Sequence, residues 1–340
     1  MKSRRVTIND IARELNTTAS TVSRALQDHP SIGKEMKKAV IELTRKLNYK
    51  PNYIAASLRR GKGNTIAVIV PGVDRWFFSS VIRGIEDVAY EKGYNVLICQ
   101  SHDSYEREKK VVQELLNGIV DGIIASLALE TEQYPHYELV RKKGLPLVFF
   151  DRVAETIDTH KIILNDFAGA FDAVEHMIKQ GCRNIVHFAG AQHISIYRNR
   201  FEGYKAALLK YGLNFNNKFV FSNTLTREKG KEAATEMLNM NPLPDGILAA
   251  SDFSALGAIF EIKNAGLNIP KDIAIVGFAN EPFDDMLDPG ISSVDQHSLE
   301  MGQKAASLLF DAINNNIASD DPKIITLNPD LIIRNSSLRS

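Results

Sequence analysis

A small all-α helix-turn-helix head, a short linker and a two-lobed α/β body of parallel sheets form the fold class that this sequence predicts. Three observations lead to it. Charge is divided unevenly: residues 1–63 hold 14 Lys+Arg against 5 Asp+Glu, although the 340 residues together balance at 41 of each. Apolar residues in the first 47 positions recur at helical spacing in three short runs. From Thr65 onward, short apolar runs alternate with helical patterns, and after Lys161–Leu164 the alternation restarts.

Composition narrows the function classes. With 44% apolar and 24% charged residues the chain is an ordinary globular protein, neither disordered nor collagenous. No apolar run reaches the roughly 18 residues of a membrane span, so no membrane partner is expected. The basic start Met1–Arg5 runs into Asn9, Asp10, Arg13 and Glu14, where a signal peptide would be apolar, so a cytoplasmic, nucleoid-associated protein is expected. Two cysteines, Cys99 and Cys182, supply neither a disulfide framework nor a thiolate cage, and no cofactor or metal is expected. The head's net charge of +9 against −9 for the rest leaves a surplus field that attracts a polyanion.

Thr7, with Asp10 three residues later, reads as the N-cap of a first helix whose apolar face is Ile8, Ile11, Ala12 and Leu15. After the polar break Asn16-Thr17-Thr18, the residues Ala19, Val22 and Leu26 define a second helix, with Ser20, Thr21, Ser23, Arg24 and Gln27 between them. Met36, Val40, Leu43 and Leu47 define a third, following Gly33. Two helices across a short turn with a third closing the core make a helix-turn-helix. Small hydroxyl side chains and Arg24 on the second helix suit close approach to base edges and phosphates. A purely structural bundle would carry Glu/Lys pairs there instead.

Thr7-Ile-Asn-Asp-Ile-Ala12, Ser20-Thr-Val-Ser-Arg-Ala25 and Leu47-Asn-Tyr-Lys-Pro-Asn52 resemble the head of the LacI/GalR family of bacterial transcription regulators, and the resemblance extends over the whole chain. It implies that Ala19 and Ser20 read bases in the major groove. Thr7, Thr18, Thr21, Ser23 and Arg24 take backbone-contacting or helix-positioning places. Asn16-Thr17-Thr18 departs from the common Gly-Val-Ser, but Asn accepts the left-handed backbone such a turn can require. The resemblance also implies a hinge helix within residues 51–63. There Asn52 touches the groove or backbone, Ala55 packs helix on helix, and Leu58 levers into the minor groove. Such a wedge unstacks a base step and gains contact with bent DNA.

The body's strands are expected at Thr65–Val70, Tyr94–Gln100, Gly122–Ser126, Leu145–Phe150, Lys161–Leu164, Asn184–Ala189, Gly246–Ala250 and Ile273–Gly277, with two short ones near Ile324–Thr326 and Leu331–Ile333. Helices are expected at Ser79–Lys92, Tyr105–Asn117, Tyr134–Lys143, Gly169–Gln180, Arg198–Tyr211, Glu228–Asn239, Ala255–Ala265 and Leu299–Ile313. Such alternation means parallel sheets covered by helices, with a ligand outside the carboxyl ends of the strands. The division expected is a head over 1–50, a hinge over 51–63 and a body over 64–340. One lobe covers about 64–160 plus 295–322, the other about 161–292 plus 323–340.

This body is similar to the periplasmic-binding-protein-like fold that the family shares, which implies an effector pocket at the strand ends. Phe77 and Phe78, in Trp76-Phe77-Phe78, take the place of an aromatic that packs on the effector. Asp151 ends a strand in Phe149-Phe150-Asp151-Arg152. Arg200-Phe-Glu-Gly-Tyr204 matches the R-x-x-G-aromatic signature, with Arg200 as its effector-binding arginine. Asp252, in Ala250-Ser251-Asp252, is expected to bridge two hydroxyls, and Gln296 to line the pocket. Competing readings are an interlobe ion pair for Arg200 and Asp252, core packing for Phe77 or Phe78, and a structural pair for Asp151-Arg152. Asn165-Asp166 stands in swapped order against the family, and Ala279-Asn280-Glu281 follows Phe278 where acidic residues are usual. Carboxylates, a guanidinium and aromatics together suit vicinal hydroxyls and a ring's C–H surface.

The expectation is therefore a repressor whose operator affinity is switched by a small-molecule effector, a carbohydrate or its derivative, with a purine or nucleoside-type co-repressor as the alternative. With no heptad tail past the last strand, a homodimer on a palindromic double-stranded operator is expected. The rivals are an α/β enzyme and an exported sugar-binding protein. Gly61-Lys62-Gly63 precedes a strand rather than joining strand to helix, and neither G-x-S-x-G nor H-E-x-x-H occurs. An exported binding protein has no use for residues 1–60.

Overall fold

A computed structural model describes residues 6–49, 63–118, 120–315 and 322–339, in two compact units, Met1–Gly63 and Asn64–Ser340. Within the first unit, α1 (Ile8–Glu14), α2 (Ala19–Leu26) and α3 (Lys34–Lys46) bury Ile11, Ala12, Val22, Ala25 and Val40 together. The Asp10 carboxylate accepts from the Thr7 backbone N–H at 2.9 Å and from its hydroxyl at 2.7 Å, which fixes the start of α1. Asn16 turns the chain at φ +46°, the left-handed conformation that its side chain tolerates. Asn52, Ala55 and Leu58 lie outside the described residues.

The second unit begins with β1 (Thr65–Val70), α4 (Trp76–Glu91), β2 (Asn95–Gln100), α5 (Tyr105–Leu115), β3 (Gly122–Ala125), α6 (Pro135–Lys142), β4 (Leu147–Phe150) and β5 (His160–Leu164). It continues with α7 (Asp166–Lys179), β6 (Ile185–Phe188), α8 (Ser195–Lys210), β7 (Val220–Phe221), α9 (Arg227–Met237), β8 (Gly246–Ala249), α10 (Asp252–Asn264), β9 (Ala274–Phe278) and β10 (Ser292–Asp295). It closes with α11 (Ser298–Asn315), β11 (Ile324–Leu327) and β12 (Asp330–Ile332). Two six-stranded sheets result, ordered β11-β5-β4-β3-β1-β2 and β12-β10-β9-β8-β6-β7. All pairings are parallel except β10 with β12. Strand β1 shows why its apolar run is continuous. Ile66, Val68 and Val70 pack toward α4 and α11, while Ala67 and Ile69 face α5 and α6.

The lobe boundaries differ from expectation. β5 pairs with β4 and with β11, so both Lys161–Leu164 and Ile324–Leu327 belong to the first sheet rather than the second. A buried strand's apolar run reads the same in either sheet, so periodicity does not assign it. The chain therefore crosses between lobes at Asn165, at residues 296–297 and at residues 328–329. Four helices also start three residues before their expected first residue, at Trp76, Asp166, Ser195 and Asp252. The first turns of these helices depart from the apolar period, and they carry Phe77 and Phe78, Asp166, Tyr197 and Asp252. Short β7, at two residues, is too brief to show a period. Among the described residues, no helix is long and apolar enough to cross a membrane.

Candidate functional site

Helix α2 buries Val22 and Ala25 and exposes Ser20, Arg24 and Gln27, which at i, i+4 and i+7 share its outer face. Thr18 caps it, its Oγ1 accepting from the Thr21 N–H at 3.2 Å. The Ser20 and Thr21 hydroxyls lie 2.8 and 3.0 Å from that same oxygen. A trio of hydroxyls at a helix N-terminus suits a phosphate. Thr7 and Thr18 are exposed, whereas Ala19, Thr21 and Ser23 are half-buried, Ala19 against the core of the head.

In the second unit, a cleft of about 320 Å³ opens between the lobes at the carboxyl ends of both sheets. Phe77, Phe78, Asp151, Arg200 and Gln296 all line it. Arg200, on the second turn of α8, is 3% exposed. Its Nε–H donates to Asp166 Oδ1 at 2.7 Å and its Nη1 to the Ala250 carbonyl at 3.0 Å. The guanidinium carbon sits 3.9 Å from the Phe278 ring centroid. Its Nη2 is buried with no hydrogen-bond partner among the described residues. Burial pushes the Asp166 carboxyl up to about 6, although Arg200 opposes the shift. The swapped pair Asn165-Asp166 thus divides two tasks. The Asn165 side chain accepts from the Ala168 N–H at 3.1 Å and caps α7, while Asp166 holds Arg200.

Asp151 leaves β4 at φ +56°, and both it and Arg152 line the cleft. Burial raises the Asp151 carboxyl against the pull of Arg152 and Arg200. Arg152 Nη1 donates to Asp103 Oδ1 at 2.6 Å, and its Nη2 to the Tyr197 hydroxyl at 3.3 Å. Sequence reasoning left Arg152 outside the pocket, weighing it only as half of a structural pair with Asp151. It also passed over Arg75, Tyr197, Ser251, Phe278 and Glu281, which are among the other lining residues. Only the usually acidic place after Phe278 hinted at Glu281.

Asp252 does not line the cleft, contrary to expectation; its neighbour Ser251 does. The Asp252 carboxylate turns inward, accepting from the Ser293 hydroxyl at 2.7 Å and the Glu281 N–H at 3.2 Å. It occupies the space that a Cβ on Gly277 would need. Asp284 lies against it. Burial and the charge of Asp252 push the Asp284 carboxyl up to about 10. Asp252 is therefore a structural acid of the second lobe.

Residues 7–52 match the description "Bacterial regulatory proteins, lacI family", and residues 174–337 match "Periplasmic binding protein-like domain". The chain is 32% identical over 323 residues to catabolite control protein A of Priestia megaterium, covering 95% of this chain and 96% of that relative. It is 32% identical over 308 residues to the ribose operon repressor of Halalkalibacterium halodurans, covering 90% of each. The solved complex of the transcriptional regulator CelR with cellobiose superposes at a TM-score of 0.75 and 25% identity, over 98% of this chain and 100% of that one. A lacI-type head followed by a two-lobed body along nearly the full length of these relatives leaves one assignment: the chain belongs to the lacI family of bacterial regulatory proteins, DNA-binding transcription regulators rather than enzymes.

Proposed function

We propose that this regulator is a repressor, acting in the cytoplasm as a homodimer on a palindromic operator, whose DNA affinity is switched by a sugar or sugar derivative held between the lobes. One observation carries the sugar reading: the cleft-lining Arg200 guanidinium keeps its Nη2 amino group buried and unpartnered among the described residues, in a cleft that the Asp151 carboxylate also lines. A hydroxyl is the simplest group that accepts from the one and donates to the other. Phe77 and Phe78 offer apolar surface for ring C–H groups. The ribose operon repressor and the CelR–cellobiose complex among the similar proteins support the same choice.

Rotation of the lobes about the three crossings would transmit occupancy toward the hinge residues Asn52, Ala55 and Leu58. The coupling can be no larger than the ligand's preference for one lobe arrangement, typically about 1–3 kcal/mol. The test is a thermal-shift screen of the full chain with ribose, cellobiose, other sugars and nucleobases, followed by operator titration with each stabilising compound. A sugar that raises the melting temperature and moves operator affinity is expected. Stabilisation by a nucleobase alone replaces the sugar reading, and failure to bind any duplex at low salt removes the repressor.

A further inference from the structure

The three crossings leave β5, β10 and β11, at one side of the two sheets. Side-chain bridges between the lobes resist rotation about them. Three bridges run from the loops after β3 and β4 to the residues at the start of α8. These are His193 Nε2 with the Leu129 carbonyl at 2.7 Å, Arg198 Nη2 with the Glu155 carboxylate at 2.8 Å, and Arg152 with Tyr197. A fourth stands apart. Arg75, just before α4 in the first lobe, reaches across the cleft into the second. Its Nη1 donates to Ser251 Oγ at 3.3 Å and to the Leu225 carbonyl at 3.5 Å. Its guanidinium carbon lies 4.6 Å from the Phe253 ring centroid.

We propose that Arg75 is an interlobe clasp, a positioning residue that holds the cleft shut without effector and must release before an effector enters or leaves. The effector part rests on the reading of this cleft as the ligand site. Leverage is the reason to single it out. β1 stands three strands from β5, about 14 Å at about 4.8 Å per strand, so an opening of about 10° carries Arg75 about 2.5 Å from its partners. That displacement ends a hydrogen bond. Bridges beside β3 and β4, one or two strands from β5, move less. Ser251 Oγ is itself a cleft group, so an effector hydroxyl bonding there would displace the guanidinium.

The test uses the full chain with no ligand, so its outcome does not depend on whether the effector is a sugar. Amide hydrogen exchange is compared among wild type, Arg75→Met, Ser251→Ala and the double variant. Arg75→Met is expected to speed exchange at residues 225–228 and 251–255 in the opposite lobe about fivefold, equivalent to about 1 kcal/mol of opening free energy. The double variant should exceed Arg75→Met little, since both remove one contact. Change confined to residues 72–79, or fully additive effects, overturns the clasp. If Arg75→Met fails to fold, Ser251→Ala and Phe253→Leu reach the same contact from the other lobe. Unaltered exchange around Arg75 in both would overturn it equally.

Discussion

Arg200→Met tests the electrostatic centre of the cleft, and its cost can be worked from the geometry. Without the guanidinium, Asp166 is a buried carboxylate with no cation against it, the side chains being 4% and 1% exposed in the pair. Asp166 escapes by taking a proton, which caps the penalty. With its carboxyl at about 6 in the fold, losing the ionised form at pH 7 costs about 1.4 kcal/mol, one pH unit's worth. Loss of the cation–π contact on Phe278 adds about 1 kcal/mol. The Ala250 carbonyl, left without its donor, adds about 1 kcal/mol more. The variant should therefore be about 3 kcal/mol less stable at pH 7, a fall of about 6–12 °C in melting temperature for a unit of this size. The sign of the pH effect follows. Asp166 has a raised carboxyl, so the folded protein binds its proton more readily than the unfolded chain, and acidification from pH 7 toward 4 stabilises the wild type through this group. Below pH 6 both proteins carry a neutral Asp166, so the gap should shrink to about 2 kcal/mol at pH 5. Calorimetry at the two pH values measures this, and operator titrations should show DNA binding kept and effector response lost. A gap independent of pH, or a retained response, refutes the assigned partnership.

Asp284→Asn keeps the size of the side chain but removes a carboxyl whose proton affinity burial and Asp252 raise. The wild type should lose stability as pH rises above 4, and the variant should be more stable at pH 8 by at least about 2 kcal/mol in urea denaturation; parallel pH profiles exclude the raised proton affinity. Gly203→Ala sets a Cβ against the Phe167 carbonyl of α7, which should cost about 1–3 kcal/mol and weaken effector response in the same measurement series; a silent substitution would show that α7 gives way freely. Leu58→Ala, outside the described residues, should weaken specific operator binding far more than non-specific binding, as read by titrating cognate and scrambled duplexes over a salt series; equal losses remove the wedge.

Three-helix packing in the head was legible because Ile11, Ala12, Val22, Ala25 and Val40 recur at helical spacing in a short segment and pack on one another. Strand and helix alternation in the body was legible for a similar reason, since strands covered on both faces are apolar throughout. The lobe membership of β5 and β11 was not, because a buried strand carries no mark of the sheet it joins. Nor was the inward turn of Asp252. A carboxylate opening a helix at a strand end suits a ligand or a buried network equally well, and the deciding feature is the missing side chain of Gly277, 25 positions further along. Arg75 was hidden in another way. Its partners Leu225 and Ser251 lie about 150 and 176 residues away, and no periodicity in its own neighbourhood distinguishes it from a solvated arginine.

The signature Arg200-x-x-Gly203-Tyr204 shows how packing sets the chemistry of the cleft. Positions i and i+3 or i+4 share a helix face, so this face of α8 meets α7 and the sheet together. The Tyr204 hydroxyl donates to the Ile185 carbonyl at 2.8 Å, fixing α8 on β6. Gly203 has no side chain, which lets the backbone of α7 come up at Phe167. Phe167 follows Asp166 directly, so the close approach permitted by the glycine is what carries the Asp166 carboxylate to within 2.7 Å of Arg200. The arginine is then held by a group on the segment where the chain crosses between lobes at Asn165. Anything that rotates the lobes must act on that segment, so Arg200 and the joint at Asn165 are tied through a single ion pair to Asp166. In this arrangement the signature is a mechanical link, with a tyrosine as anchor, a glycine as bearing and an arginine tied to the crossing segment.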